Sequence, residues 1–114
     1  MQYQDGDEIS IKQLIQPKVE GEIAFVLKKD ILNKDLTLNE LISSIDYVLP
    51  AIEIVDSVVE NWNITLFDTV ADNASSALYV LGNQPTLISG LDLALEGMIL
   101  SLIHIWRCRR LLTC

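Results

Sequence analysis

The chain has 114 residues, of which 50% are hydrophobic, and its formal net charge is −8. This apolar content is enough for a folded core and excludes a disordered tail. The acidic balance argues against nucleic acid or an anionic membrane as the main partner, and no apolar run reaches the roughly 18 residues that cross a bilayer. The N-terminus is acidic and polar, unlike a signal peptide, so a cytoplasmic location is expected.

The first clear β-strand is predicted for residues 18–29, in which apolar residues recur at alternate positions. Glu20 and Glu22 stand two positions apart in this strand, so their side chains point to the same face of the sheet. Like charges side by side on a sheet face repel each other. The strand therefore needs a compensating group beside these two carboxylates.

A helix is expected after this strand, because Thr37 and Glu40 have the spacing of a capping box. A second strand is predicted for residues 47–57, where Pro50 indicates an edge or a bulge near the strand's start. This strand also carries an acidic residue, Glu53, between two isoleucines.

The remaining predicted elements are shorter. Residues 68–76 fit either a short helix or a structured loop, and residues 77–81 fit a strand that stops at a Gly-Asn pair. Residues 91–99 alternate between leucine and other side chains, which predicts another strand with a bulge at Gly97. Helices and strands in this order predict an α+β fold.

Glu20, Glu22 and Glu53 are the candidate metal ligands. Burying an ionised carboxylate without a partner is costly, and lysines are the only basic side chains before residue 100. A hard divalent cation such as Mg²⁺ or Mn²⁺ satisfies several carboxylate oxygens at once. Spacing alone leaves two interpretations open: a shared metal site, or solvent-facing strand glutamates.

The segment from residue 100 onwards differs from the rest of the chain. It contains three arginines and all of the His and Cys residues, namely His104, Cys108 and Cys114. Its start, LSLIHI, resembles the translation of a transposase adaptor used in sequencing libraries. Residues 100–114 are therefore expected to be an assembly artefact rather than native protein, with a native cationic amphipathic helix as the alternative. If they are an artefact, zinc, redox and histidine-base chemistry are excluded from the native part.

Three strings in order carry a family resemblance: QPKVEGEIAFVLKKD (residues 16–30), DYVLPAIEIVDS (46–57) and DTVADNASSALYVLG (68–82). They resemble the 2-hydroxypenta-2,4-dienoate (2-keto-4-pentenoate) hydratases, which belong with the 4-oxalocrotonate decarboxylases to the fumarylacetoacetate hydrolase superfamily. The resemblance implies a mixed, curled β-sheet with one or two helices, in an incomplete domain of that type. Residues 1–99 would be the central part of the catalytic domain.

The resemblance also assigns roles to residues. The family's E-x-E pair and a later Glu bind the catalytic Mg²⁺ or Mn²⁺, and these positions fall on Glu20, Glu22 and Glu53. Ser75 and Ser76 are candidates to donate hydrogen bonds to the substrate carboxylate, with a turn or cap role as the alternative. The family's active-site lysine belongs to an upstream GxKxGLT-like motif that this sequence does not contain, so no catalytic residue is assigned.

The implied function is hydration of 2-hydroxypenta-2,4-dienoate to 4-hydroxy-2-oxopentanoate in the catabolism of aromatic compounds. A 4-oxalocrotonate decarboxylase and a non-catalytic truncated fragment are the alternatives. The expected partner is a small-molecule 2-hydroxydienoate or 2-oxo acid. The full-length protein is expected to form a homo-oligomer, with a decarboxylase or hydratase as a further partner. Asp56, three positions after Glu53, either supports the metal site or lies on the surface.

Overall fold

The structure is a computed structural model that describes residues 1–102 and 105–110, with side chains as far as Ser101. Contacts within the chain divide it into two compact units. Unit 1 comprises Met1–Glu22 and Ala51–Leu81, and unit 2 comprises Ile23–Pro50 and Gly82–Cys114.

The described residues form six strands, two α-helices and three short 3₁₀ turns. The strands are β1 (Gln2–Tyr3), β2 (Lys18–Leu27), β3 (Ile45–Val55), β4 (Ser76–Leu81), β5 (Gly97–Leu102) and β6 (Ile105–Arg110). The helices are α1 (Leu38–Ser44) and α2 (Leu66–Ala71), and the 3₁₀ turns are Ile11–Gln13, Glu60–Trp62 and Asn73–Ser75.

Four strands make a mixed sheet in the order β1-β4-β3-β2. It is mixed because β1 runs parallel to β4, whereas β3 runs antiparallel to β4. The strands β5 and β6 form a separate antiparallel pair. This arrangement, with its two α-helices, confirms the predicted α+β class and mixed sheet.

In unit 1, the pairing of β3 with β4 fixes the position of the third candidate ligand. Glu53 lies opposite Tyr79, and the register then shifts so that Val55 lies opposite Ser76. Ile54, Val55 and Leu78 are buried and form the apolar core of this unit. Each such side chain contributes roughly 1.5–3 kcal/mol when fully removed from water, which holds the two strands together.

The segment between β3 and β4 combines both predicted alternatives, a helix and a structured loop. Helix α2 begins after Thr65, whose hydroxyl accepts a hydrogen bond from the Asp68 N–H while the Asp68 carboxylate accepts one from the Thr65 N–H. The three residues of the turn Asn73–Ser75 then have positive φ angles of 49°, 56° and 58°. A left-handed conformation costs about 1–2 kcal/mol for each residue with a side chain, so this turn is strained.

In unit 2, α1 begins as the sequence predicts. Thr37 and Glu40 form a reciprocal capping box, with the Glu40 carboxylate accepting hydrogen bonds from both the N–H and the hydroxyl of Thr37. The core residues of this unit follow directly in β3, where Ile45, Val48 and Leu49 are buried.

The prediction that Pro50 marks an edge or a bulge near the start of its strand is wrong. Pro50 is the sixth residue of β3, which lies between β4 and β2 in the sheet. A proline lacks an N–H but keeps its acceptor, and the Pro50 carbonyl accepts a 2.8 Å hydrogen bond from the Gly82 N–H. The register shift lies further along, between Ile54 and Val55.

The strand predicted for residues 91–99 is wrong over its first six positions. The Asp92 carboxylate accepts a hydrogen bond from the Ala94 N–H, and the Asp92 carbonyl accepts hydrogen bonds from the N–H groups of Leu95 and Glu96. An aspartate that bonds to nearby backbone favours a turn over a strand. Gly97 is the first residue of β5 rather than a bulge.

Within the C-terminal segment, Ile105–Arg110 form a strand. Strand β6 pairs with β5 from Gly97 opposite Arg110 to Leu102 opposite Ile105, which excludes the amphipathic helix over Ile105–Arg110. His104 and Cys114 lie outside the described residues. The expectation that residues 100–114 are not native stays a prediction. Within the described chain, the helices are too short and too polar to traverse a bilayer.

Candidate metal centre

Three glutamates of unit 1 converge. Glu20 and Glu22 belong to β2, and Glu53 belongs to the adjacent strand β3. One carboxylate oxygen from each side chain lies within 4.8 Å of the other two. Glu53 is half-buried, whereas Glu20 and Glu22 are exposed. The structure thus brings together all three residues that the sequence singled out as metal ligands.

Strand geometry explains this convergence. Residues two apart on one strand share a face, and neighbouring strands lie about 4.8 Å apart, so side chains from two strands meet above the sheet. Glu53 is on the strand next to the Glu20–Glu22 pair, at a position where the sheet is still regular, before its register shift.

The donor set fits a hard divalent cation. Two oxygens bound to one ion are separated by at most twice the metal–oxygen distance, which is about 4.2 Å for Mg²⁺ and about 4.6–5.2 Å for Ca²⁺. The three oxygens, all within 4.8 Å of one another, lie close to the separations that one shared divalent cation requires. Carboxylate oxygens are also the ligands that such ions prefer.

Asp56 fixes the chain that leads into β2. Its carboxylate accepts hydrogen bonds from the N–H groups of Ile15, at 2.8 Å, and Gln16, at 2.7 Å. Its own N–H donates to the Ser75 carbonyl at 2.8 Å. These bonds join segments that flank the two glutamate-bearing strands, and support of the metal site by Asp56 stays a prediction.

Gln16 reinforces the same connection from the other side. Its side-chain amide donates to the carbonyls of Ser57 and Val59, which follow β3. The backbone carbonyl of Gln16 accepts a 3.0 Å hydrogen bond from the indole N–H of Trp62. A contribution of about 0.5–1.5 kcal/mol from each hydrogen bond makes this a substantial local constraint.

Lys18 is the basic side chain on the same strand as the glutamates. Its ammonium nitrogen lies 3.8 Å from the centroid of the Trp62 ring, within cation–π range. Sequence analysis assigned no role to Lys18 or Gln16. The signal that would have identified Lys18 is its spacing, since Lys18, Glu20 and Glu22 occupy alternate positions of one predicted strand.

The two serines proposed to bind substrate have different environments. Ser75 is buried, with 3% of its surface exposed, and its hydroxyl donates to the Asp72 carboxylate at 2.8 Å. Ser76 is exposed at the first position of β4. The turn role considered for Ser75 is therefore present, and substrate binding by either serine stays a prediction.

Comparisons with known proteins identify close relatives, although no family model matches the chain. The 2-keto-4-pentenoate hydratase of Burkholderia vietnamiensis is 50% identical over 101 residues, which cover 89% of this chain and 38% of the relative. The 2-keto-4-pentenoate hydratase of Paraburkholderia xenovorans is 52% identical over the same length and the same shares of both chains. A 2-hydroxyhexa-2,4-dienoate hydratase from Comamonas testosteroni is 47% identical over 103 residues, covering 89% of this chain and 39% of the relative.

A solved structure is also similar. The 4-oxalocrotonate decarboxylase from Pseudomonas putida G7, complexed with magnesium and adipate, matches with a TM-score of 0.75 and 35% identity, over 84% of this chain and 36% of that one. The same enzyme complexed with calcium and acetate matches with a TM-score of 0.72 and 34% identity, over the same shares. The chain spans somewhat more than a third of the length of these relatives. At this level of identity and structural similarity, the chain is a homologue of part of the 2-keto-4-pentenoate hydratases, and its fold matches part of a 4-oxalocrotonate decarboxylase.

Proposed function

We propose that this chain is part of a metal-dependent hydratase, which as the full-length protein adds water to 2-hydroxypenta-2,4-dienoate and gives 4-hydroxy-2-oxopentanoate, in the catabolism of aromatic compounds. The observation that supports this most is the cluster of Glu20, Glu22 and Glu53, whose oxygens lie within 4.8 Å of one another. The cluster occurs in a chain that is about half identical to curated hydratases.

The glutamates would hold a divalent cation and leave coordination positions open for substrate and water. Mg²⁺ is the ion we propose, with Mn²⁺ as a substitute of similar ligand preference. The related decarboxylase has been solved with magnesium and with calcium, which supports a divalent ion in this family. When bound, the ion supplies positive charge that stabilises the enolate developing on the 2-oxygen of the substrate.

The reaction needs two proton movements on the carbon skeleton. Ketonisation of the dienol protonates C5 and yields the 2-oxo-3-enoate, and water then adds its hydroxyl to C4 and a proton to C3. We propose that Ser75 and Ser76 donate hydrogen bonds to the substrate carboxylate. Because the Ser75 hydroxyl donates to Asp72, this role requires the Ser75 hydroxyl to reorient when substrate binds.

A spectrophotometric assay tests the hydratase. The protein is treated with EDTA, and loss of the conjugated dienoate is followed before and after Mg²⁺ or Mn²⁺ is restored. Turnover that depends on the restored ion supports the proposal. Absence of turnover by the full-length protein in the presence of bound metal would contradict it. Turnover by the full-length protein but not by this chain would identify the chain as a non-catalytic fragment.

A 4-oxalocrotonate decarboxylase is the second candidate, favoured by the TM-score of 0.75 to that enzyme. The same metal frame would stabilise the enolate that remains after CO₂ leaves. Release of CO₂ from 4-oxalocrotonate, without hydration of the monocarboxylic dienoate, would assign the protein to this activity instead.

We further propose that the protein is cytoplasmic and assembles as a homo-oligomer, with a decarboxylase or hydratase as a further partner. Helix α2 supports assembly, because Leu66, Phe67 and Val70 are exposed on it. Sedimentation of the full chain measures the oligomeric state. We also propose that residues 100–114 are not native, which resequencing of the source DNA across this segment would test.

A further inference from the structure

We propose that Lys18 is a fixed cation of the metal centre and binds the carboxylate of an anionic ligand held there. This inference rests on the proposed function, because it concerns ligands of the metal-loaded site. It adds a residue that recognises the anionic group of the substrate.

Position on the strand places Lys18 beside the glutamates. Lys18 lies two residues before Glu20 and four before Glu22 in β2, so all three side chains leave the same face. A strand rises about 3.3 Å per residue, which puts the Lys18 and Glu20 positions ~7 Å apart. Lys18 is exposed to solvent.

The position of the Lys18 ammonium is constrained, which is unusual for an exposed lysine. The nitrogen lies 3.8 Å from the Trp62 ring centroid. The ring is fixed in turn, because its indole N–H donates to the Gln16 carbonyl at 3.0 Å. Gln16 is itself held by hydrogen bonds. Its backbone N–H donates to the Asp56 carboxylate, and its side-chain amide donates to the carbonyls of Ser57 and Val59, which follow β3. The ammonium is therefore linked, through Trp62 and Gln16, to the residues that directly follow the strand carrying Glu53.

Backbone strain at Trp62 points to a specific requirement for this arrangement. Trp62 has a φ of 56°, and Asn61 before it also has a φ of 56°. Asparagine adopts this conformation readily, but a bulky aromatic residue rarely does. Strained backbone persists where surrounding contacts determine it, and it occurs preferentially at functional sites.

Charge balance explains why the site needs a cation. Three carboxylates and one divalent ion leave a net charge of −1, and a carboxylate ligand makes it −2. Unit 1, all of whose residues are described, carries many acidic side chains but only two basic ones, Lys12 and Lys18. Lys18 is the one of these two that lies on the strand of the glutamates. Its charge offsets the repulsion that an incoming carboxylate would meet.

Ligands of the related decarboxylase have the same chemistry. That enzyme has been solved in complex with magnesium and adipate and in complex with calcium and acetate, so both structures contain a divalent ion and a carboxylate. A lysine beside the metal is suited to such ligands, because an ammonium donates charge-assisted hydrogen bonds to a carboxylate.

Two titrations of the full chain test the proposal. The first measures Mn²⁺ affinity from the electron paramagnetic resonance signal of free Mn²⁺. The second measures oxalate affinity of the Mn²⁺-loaded chain by calorimetry. The variants are Lys18→Gln, Lys18→Arg and, as a control with the same change of charge in the same unit, Lys12→Gln. Circular dichroism checks that each variant is folded.

The proposal predicts opposite effects on the two ligands. Lys18→Gln weakens oxalate binding about tenfold, since a hydrogen bond to a charged group is lost. The same variant strengthens Mn²⁺ binding by up to about threefold, because it removes a positive charge from the strand face that carries Glu20 and Glu22. Lys18→Arg retains oxalate binding, since arginine keeps the charge and also stacks on aromatic rings. Lys12→Gln changes neither affinity appreciably.

Two outcomes would overturn the role of Lys18 while leaving the metal centre intact. One is oxalate affinity of Lys18→Gln equal to that of Lys12→Gln. The other is a parallel loss of Mn²⁺ and oxalate affinity in Lys18→Gln, which would indicate a structural role. If the unaltered chain binds no Mn²⁺, both the proposed function and this inference are overturned.

Discussion

The carboxylate of Asp56 accepts a 2.7 Å hydrogen bond from the backbone N–H of Gln16, which lies 40 residues earlier in the chain. Gln16 precedes β2 by two residues, and Asp56 directly follows β3. The bond therefore fixes the start of the strand that bears Glu20 and Glu22 to the end of the strand that bears Glu53. The positions of the three carboxylates depend on this long-range contact.

Replacement of Asp56 by alanine is expected to lower both stability and metal affinity. The change leaves the N–H groups of Ile15 and Gln16 without their acceptor. A buried donor left unpaired costs about 1–3 kcal/mol, so the loss lies at or below this range, because the Gln16 bond is part-buried and the Ile15 bond is exposed. Urea unfolding measures the loss, with Asp5→Ala at an exposed turn as the control. Equal unfolding midpoints for the two variants would contradict the role given to Asp56.

Gly82 is expected to tolerate no side chain. A Cβ at this position would lie 2.8 Å from Cγ and 3.0 Å from the carbonyl oxygen of Pro50. Gly82→Ala should therefore destabilise the protein by about 1–3 kcal/mol through overpacking. Gly90→Ala is the matched control, because a Cβ there meets nothing within 4 Å. Thermal unfolding measures the melting temperatures of the two variants. Equal melting temperatures would refute the close approach of Gly82 to Pro50.

Ala74→Gly is expected to stabilise the protein. Ala74 has a φ of 56° and is exposed, so glycine removes left-handed strain without loss of packing. The relief of about 1–2 kcal/mol exceeds the added chain entropy of about 0.5–1 kcal/mol, for a net gain of several tenths to 1 kcal/mol. Ala71→Gly at the end of α2 should instead destabilise. Chemical denaturation of both variants measures their free energies of unfolding. A loss of stability in Ala74→Gly would contradict backbone strain in this turn.

Because of the two capping boxes, the stability of helices α1 and α2 is expected to fall at acidic pH. Hydrogen bonds from the hydroxyl and N–H of Thr37 hold the pKa of Glu40 below its ordinary value, and those of Thr65 do the same to the pKa of Asp68. A lowered pKa means that the carboxylate form stabilises the fold. That contribution is complete above the ordinary pKa values of 4.5 and 3.8 and is lost as the pH falls through the lowered values.

Carboxyl carbon chemical shifts measured by NMR follow this titration. In Thr65→Val, the pKa of Asp68 should return towards its ordinary value while that of Glu40 stays lowered. An unchanged titration of Asp68 in this variant would show that the capping box does not lower its pKa.

Local patterns predicted much of the fold. The capping box of α1 and the strands β2, β3 and β4 follow from spacing and side-chain type over a few residues. The turn after Asp92 was missed because leucine alternation there imitates a strand. Pro50 was misplaced because the strand's length and its neighbours in the sheet depend on distant segments.

The candidate site was likewise predicted only in part: the glutamates were, and the contacts that position them were not. Glu20, Glu22 and Glu53 were singled out from their positions in the predicted strands, and the family resemblance favoured a metal site over solvent-facing glutamates. The contacts that position these side chains were not predictable, since Gln16 and Asp56 meet across 40 residues. Trp62 was not recognised either, because its left-handed backbone and its contact with Lys18 exist only in the folded chain.

A calorimetric Mn²⁺ titration of the unaltered chain and of Glu53→Gln, with Glu60→Gln as the control, tests most directly whether three carboxylates share one cation. We predict one bound ion, an affinity about tenfold or more lower in Glu53→Gln because a charged ligand is lost, and an unchanged affinity in Glu60→Gln. Equal affinities for all three proteins, or no Mn²⁺ binding by the unaltered chain, would contradict the metal centre.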